Sequence, residues 1–329
     1  MKIAVITGAS SGMGREFVGA IDKEFELDEI WVIARREERL AELKGTCRAA
    51  VRPIALDLME RSSYDVYKAM LEAEKPEIQV LVNAAGCGLF GAFMDMDMDQ
   101  QLDIIELNDK ALMAFCHMSV PYMPAGSHII NLASNSSWQP VPYINVYGAS
   151  KAFVMSFSRS LGVELKSRGI HVMAVAPGWI KTEFFDHAVH DNTIKYYDRF
   201  YTAEQVIVQA MKDLRKKKAV SILGFPVRMQ VRAIKVLPVS LVMKIWAVTL
   251  ARQDLGHLRQ TDVLPQIRAG GIHRPAQAHA KGGRDRQHAR GQGLGGREQP
   301  DCTHPKGQAR QCACGRGSQD LYRAPVQIG

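Results

Sequence analysis

The first 250 residues of this 329-residue chain carry no surplus of charge, no cysteine pattern and no long apolar run. They hold 29 lysines and arginines against 28 aspartates and glutamates, which removes the electrostatic footprint of a nucleic-acid binder. The net charge of +8 belongs almost wholly to residues 251–329, where 13 basic residues meet 6 acidic ones. Cys47, Cys87 and Cys116 are scattered through the first part and Cys302, Cys312 and Cys314 through the last, so no disulfide framework is suggested. Around His304 the spacing is Cys-x-His and Cys-x-Cys rather than paired Cys-x-x-Cys, and no metal site is expected. The opening MKIAVITGASSG lacks the apolar stretch and small-residue cleavage site of a secretory signal, so a cytoplasmic location is expected.

Residues 251–329 contain no Phe or Trp, have Tyr322 as their single aromatic, and hold 13 of the 27 glycines. Such a composition cannot bury a core. The expected organisation is therefore one domain over residues 1–247, followed by a disordered basic tail over 248–329. The abrupt onset after Trp246 reads as an out-of-frame translation rather than a native segment. From Gly224 to Leu250 the chain is apolar, but Pro226, Pro238, Arg228, Arg232, Lys235 and Lys244 interrupt it, which excludes an uninterrupted membrane span of about 20 residues. Packing of 224–247 against the domain or a partner subunit is expected. Coverage of a substrate mouth and peripheral membrane contact are the alternatives.

What is present is an alternation of short apolar runs with segments of helical spacing, the pattern of βαβ units. It predicts seven strands, over residues 3–7, 29–34, 52–55, 80–83, 128–132, 171–176 and 220–223. Helices are predicted over 13–24, 37–43, 62–74, 98–118, 146–168 and 203–216. The expected fold class is α/β: a Rossmann-type doubly wound, seven-stranded parallel sheet with helices on both faces. The polar and aromatic stretch from Phe184 to Tyr201 is the place for a substrate-covering segment, or for two short surface helices.

The chemistry-bearing motifs fall at the ends of these strands. Thr7-Gly8-Ala9-Ser10-Ser11-Gly12-Met13-Gly14 follows the first strand and opens the first helix, where glycines admit a pyrophosphate and free N–H groups meet its charge. Where an acid would bind a free ribose hydroxyl, the second strand ends in Arg35 and Arg36, donors suited to a 2′-phosphate. Asp57 and the run Asn83-Ala84-Ala85-Gly86 follow the third and fourth strands and are expected to line the adenine side of the cleft. Tyr147 and Lys151 stand four apart on one helix, where the ammonium is expected to lower the phenol pKa. Ser134, at the end of the fifth strand, could hydrogen-bond a reacting carbonyl oxygen.

Over its first 225 residues or so the chain resembles the short-chain dehydrogenase/reductase family. The resemblance implies that Tyr147 is the general acid/base and that Lys151 tunes it and holds the nicotinamide ribose. It further implies that Ser134 polarises the carbonyl and that Asn108 anchors a water to the lysine. In the turn Pro177-Gly178-Trp179-Ile180-Lys181-Thr182 it makes Pro177, Gly178, Ile180 and Thr182 contacts of the nicotinamide end. Asn131-Leu132-Ala133-Ser134 departs from the family by lacking two adjacent serines, and Ser11 stands where some NADPH-preferring members have a basic residue. The expected activity is NADPH-dependent reduction of a carbonyl, or oxidation of the alcohol, with NADH a weaker cofactor. A regulator that binds NADPH without turnover is the alternative. Phe90, Phe93, Trp138, Tyr143, Trp179, Phe184 and Phe185 suggest an apolar substrate, and could equally be core or interface residues. A homodimer or homotetramer through the Asn108 and Tyr147 helices is also implied.

Overall fold

The computed structural model describes residues 1–180, 182–184 and 201–254. Lys181, residues 185–200 and residues 255–329 fall outside it, and with them Phe185, most of the expected substrate-covering stretch and nearly all of the expected tail.

Seven parallel strands form one sheet: β1 (Lys2–Thr7), β2 (Glu29–Ala34), β3 (Ala50–Ala55), β4 (Glu77–Asn83), β5 (His128–Leu132), β6 (His171–Val175) and β7 (Val220–Ser221). Their spatial order is β3-β2-β1-β4-β5-β6-β7, so the chain winds outward in one direction and then in the other from β1. The central strands read as nearly continuous apolar runs because both faces are covered. Side chains alternate across the sheet, sending Ile3, Val5, Trp31 and Ile33 to one face and Ala4, Ile6, Ile30 and Val32 to the other.

The first face packs against α3 (Arg61–Glu74) through Tyr64, Tyr67 and Leu71, α5 (Leu112–Ser119) through Leu112 and Phe115, and α6 (Asn145–Glu164) through Val154 and Met155. Tyr67 stacks on Phe115 with ring centroids 4.4 Å apart and shares a 2.8 Å hydrogen bond with Ser119. The opposite face is covered by α1 (Gly12–Glu24), α2 (Glu37–Ala41) and α7 (Ala203–Arg215) through Phe17, Ile21, Leu40, Ile207 and Leu214. α7 starts with a reciprocal cap, in which Gln205 N–H donates to Thr202 Oγ1 and Thr202 N–H to Gln205 Oε1. Ser11 makes no such side-chain cap on α1, so the first-turn N–H groups of that helix stay available.

The single helix expected over 98–118 divides into α4 (Met98–Ile105), a π-helical turn (Glu106–Ala111) and α5. Such a turn inserts a residue locally, a departure that a fixed helical period does not anticipate. The apolar stretch after Gly224 forms two helices, α8 (Phe225–Val236) and α9 (Val239–Asp254), with the break at Pro238. No described helix is long and apolar enough to cross a membrane.

His128 and His171 sit side by side at the start of β5 and β6, with Nδ1 atoms 3.4 Å apart. Burial, reinforced by His171 and Lys217, pulls His128 from 6.5 down to about 4, with Glu24 opposing. Folding therefore favours the neutral ring, and its contribution to stability is complete above pH 6.5 and is lost as pH falls towards about 4. Replacing His128 by Leu should flatten the loss of thermal stability across that interval; an unchanged acid profile would show that other groups cause it.

Candidate active site

The winding reverses at β1 and β4, and the carboxyl ends of these strands open on a cleft of about 1470 Å³. That is more than a single small ligand needs, and enough for a dinucleotide with a substrate beside it. Gly8, Ser10, Ser11, Gly12, Met13, Gly14, Arg35, Arg36, Asp57, Ala84, Gly86, Ser134, Tyr147, Lys151, Pro177, Gly178, Ile180 and Thr182 all line it.

The β1–α1 turn is tightly packed. Gly8 has φ +68°, and a Cβ there would come within 2.6 Å of the Ala85 backbone nitrogen. A Cβ on Gly14 would overlap the carbonyl of Gly8. The turn thus presents backbone to the cleft together with the uncapped start of α1, a donor set that fits a pyrophosphate. Arg36 reinforces it, since its Nη2 donates to Ser10 Oγ at 3.2 Å and to Ser11 Oγ at 3.0 Å. Arg35 faces Asp57 across 3.8 Å. Arg36 and Arg39 both bond Glu183, a cleft residue that sequence reading did not single out. The bond from Arg39, then that from Arg36, holds the Glu183 carboxyl below its usual range.

Asn83 departs from expectation. It is buried beneath the sheet end, where its amide donates to Asn131 Oδ1 at 2.9 Å, and it does not line the cleft. The Asn131 amide in turn donates to Ser158, so strand-end polarity here serves an interior network rather than a ligand. Asn108 also lies behind the cleft wall, fully buried. Its Oδ1 accepts from Cys87 N–H at 2.9 Å, and its Nδ2 donates to Cys87 O and Ser150 Oγ, both at 3.0 Å. Its amide is thereby committed to fixing the loop after β4 against α6. Cys87 lines the cleft, but burial pushes its thiol up to about 11, away from a reactive thiolate.

Tyr147, Lys151 and Ser134 meet at the far end of the cleft. The Lys151 ammonium is buried and donates to Leu132 O at 3.0 Å. Burial pulls its pKa down to about 8 against the attraction of Asp109. The Asp109 carboxyl is itself pushed up to about 7 by burial. Lys151 lies 5.6 Å from the centre of the Tyr147 ring. Burial pushes the Tyr147 phenol up to about 12, against a hydrogen bond from Ser134, where a lowering by Lys151 was expected. Ser134 also accepts from Ser136 N–H at 3.2 Å, which fixes its rotamer.

Of the aromatics, Phe90, Trp179 and Phe184 line this end, Phe90 and Phe184 with ring centroids 6.2 and 5.5 Å from Tyr147. Phe93 and Tyr143 are exposed and lie off the cleft. Trp138 is taken up by Arg159 and Lys235, at 4.8 and 4.2 Å from its ring. The apolar stretch after Gly224 completes the wall instead, with Val227, Ile234, Leu237, Ile245 and Trp246. Trp246 Nε1 donates to Pro142 O at 3.2 Å and pins α9 over this end of the cleft.

A doubly wound sheet, a glycine turn at its switch point and a tyrosine–lysine–serine group in one cleft define an oxidoreductase that uses a nicotinamide dinucleotide. Residues 2–193 match the family model described as short chain dehydrogenase, and the chain belongs to that family. Its relatives include sulfoacetaldehyde reductase 2 of Chromohalobacter salexigens, 38% identical over 192 residues, or 55% of this chain and 74% of the relative. The NADP-dependent 3-hydroxy acid dehydrogenase of Escherichia coli is 34% identical over 188 residues, again 55% and 74%. A solved short-chain dehydrogenase from Sphingobium yanoikuyae, in complex with NADPH, is similar at 25% identity and a TM-score of 0.61, covering 80% of this chain and 98% of that one.

Gly14→Ala should lower stability by about 1–3 kcal/mol, since the backbone of the turn must move to admit the methyl group. Denaturant unfolding measures this, and a variant as stable as the parent would contradict the close approach of Gly14 to Gly8.

Proposed function

We propose that the chain reduces a carbonyl of an apolar substrate, or oxidises the corresponding alcohol, with NADPH as coenzyme and Tyr147 as general acid/base. The observation that carries this reading is the convergence of Tyr147, Ser134 and Lys151 in the cleft that also holds the glycine turn and the arginines after β2. When bound, the coenzyme supplies the hydride. The protein's part is to hold the reacting oxygen and move a proton: Ser134 Oγ orients the oxygen and the Tyr147 hydroxyl donates to it. Lys151 stabilises the charge that develops on the phenol and holds the nicotinamide ribose, while Asn108 keeps the neighbouring loop in place. Ile180 and Thr182 take the nicotinamide end, and Asp57, Ala84 and Gly86 the adenosine side.

Arg35 and Arg36 favour NADPH, because no acidic residue ends β2 and a guanidinium offers paired donors to a phosphate. The names of the NADP-dependent relative and of the NADPH complex point the same way. An apolar substrate is supported by Phe90, Val141 and Ile144, which form a separate small core with Trp179, Phe184 and Trp246 packed on it. Exposed apolar side chains on the helices flanking the site, including Leu102, Ile105, Met113 and Phe153, support a homo-oligomer built through them.

Tyr147→Phe should lower turnover by about 100-fold or more. NADPH oxidation against a panel of ketones, aldehydes and acyl thioesters measures it, and a variant retaining most of its turnover would remove Tyr147 from the chemistry. Replacing Arg35 and Arg36 together by Ala should raise the KM for NADPH by about tenfold while changing that for NADH little. An equal rise for both coenzymes would sink the phosphate role.

Reduction needs a protonated Tyr147 and a charged Lys151. A phenol at about 12 keeps its proton, whereas an amine at about 8 loses its charge. The kcat/KM for reduction should therefore hold through neutrality and fall as pH rises past about 8, while alcohol oxidation, which needs the phenolate, should gain from higher pH. A reductive rate that climbs with pH through that region would contradict the assignment.

A further inference from the structure

Three arginines gather where β2 ends, and each has a carboxylate beside it. Arg35 faces Asp57, and Glu183 joins the other two, its Oε2 3.0 Å from Arg36 Nη1 and its Oε1 2.5 Å from Arg39 Nη1. Each Glu183 oxygen takes one arginine, so a single carboxylate bridges two guanidinium groups. Arg36 cannot swing freely to another partner, because its second amino group is tied to Ser10 and Ser11 in the glycine turn. Glu183 follows β6, and the methyl group of its neighbour Thr182 lies 3.4 Å from the position a Cβ on Gly12 would take. The carboxylate thus comes from the other side of the switch point, 147 residues along the chain from Arg36.

We infer that Glu183 is an internal counter-anion seated in the subsite for the coenzyme's 2′-phosphate, and that it sets the balance between NADPH and NADH by competing with that phosphate for Arg36 and Arg39. The inference rests on the reading that Arg36 receives the phosphate. A dianionic phosphate must displace the carboxylate or share the arginines with it, at the cost of like-charge repulsion. A ribose 2′-hydroxyl brings no charge and can donate to the same carboxylate. The chain therefore prefers NADPH less strongly than its arginines alone would dictate. Because Arg39 and then Arg36 hold the carboxyl below its usual range, it remains an anion at neutral pH.

The test is direct binding of NADPH and NADH to the full chain, by calorimetry and without turnover, for the parent, Glu183→Gln, Arg36→Ala and the double variant. Glu183→Gln should tighten NADPH by about 1.5-fold to fivefold, the range of a partly exposed ion pair, and leave NADH the same or slightly weaker. Glu183→Ala should act in the same direction, and in the Arg36→Ala background the gain should shrink or vanish. If Arg36→Ala weakens NADPH selectively while Glu183→Gln leaves the NADPH-to-NADH ratio unchanged or lowers it, the role of Glu183 is overturned and the phosphate site stands. If Arg36→Ala leaves the ratio unchanged, the phosphate reading and this inference fall together. A loosening of both coenzymes in Glu183→Gln, with a lower unfolding midpoint, would make the residue a structural tie and overturn the proposal as well.

Discussion

A parallel sheet cannot turn back on itself, so each strand here needs a crossover and all seven carboxyl ends emerge on one edge. That constraint organises the molecule. The glycine turn after β1, the arginines after β2, Asp57 after β3, the loop after β4, Ser134 after β5 and the Pro177 turn after β6 share one cleft because each follows its strand at the same edge. The winding reverses between β1 and β4, which separates the loops there and leaves the opening. Burial of both sheet faces holds the strands in this register, through two apolar layers that alternate residue by residue along β1 and β2.

Within the cleft, desolvation competes with charge, and the outcome differs from group to group. Lys151 and Tyr147 are both pushed towards their neutral forms by burial, which brings the amine near the working pH and carries the phenol far above it. Asp109 is moved upward by the same effect. The arginine cluster behaves oppositely, because its members are half-exposed and find carboxylates, so ion pairing rather than burial governs Glu183. One end of the cleft therefore holds groups able to exchange a proton, and the other holds fixed charges able to recognise an anion.

The tyrosine end of the cleft is shaped by parts of the chain far apart in sequence. Phe90 follows β4, Val141 and Ile144 precede α6, and Trp246 comes from α9, yet they form one small apolar core. α8 and α9 add Val227, Ile234, Leu237 and Ile245 to the wall. These helices lie beyond residues 2–193, the stretch that matches the family model.

The strand positions, the glycine turn and the pairing of Tyr147 with Lys151 were legible in the sequence, because each depends on local rules. Apolar runs mark buried strands, glycine marks a close backbone approach, and a four-residue interval puts two side chains on one helix face. Local rules could not distinguish Asn83, turned inward to Asn131, from a cleft residue, since both sit at a strand end. Nor could they show the π-helical turn at Asn108, Trp138 held between Arg159 and Lys235, or Glu183 meeting Arg36 across 147 residues. Spacing along the chain determined which chemistry was present. Only tertiary packing decided which of those groups face solvent, which face one another and which are buried, and so where their charges and protons reside.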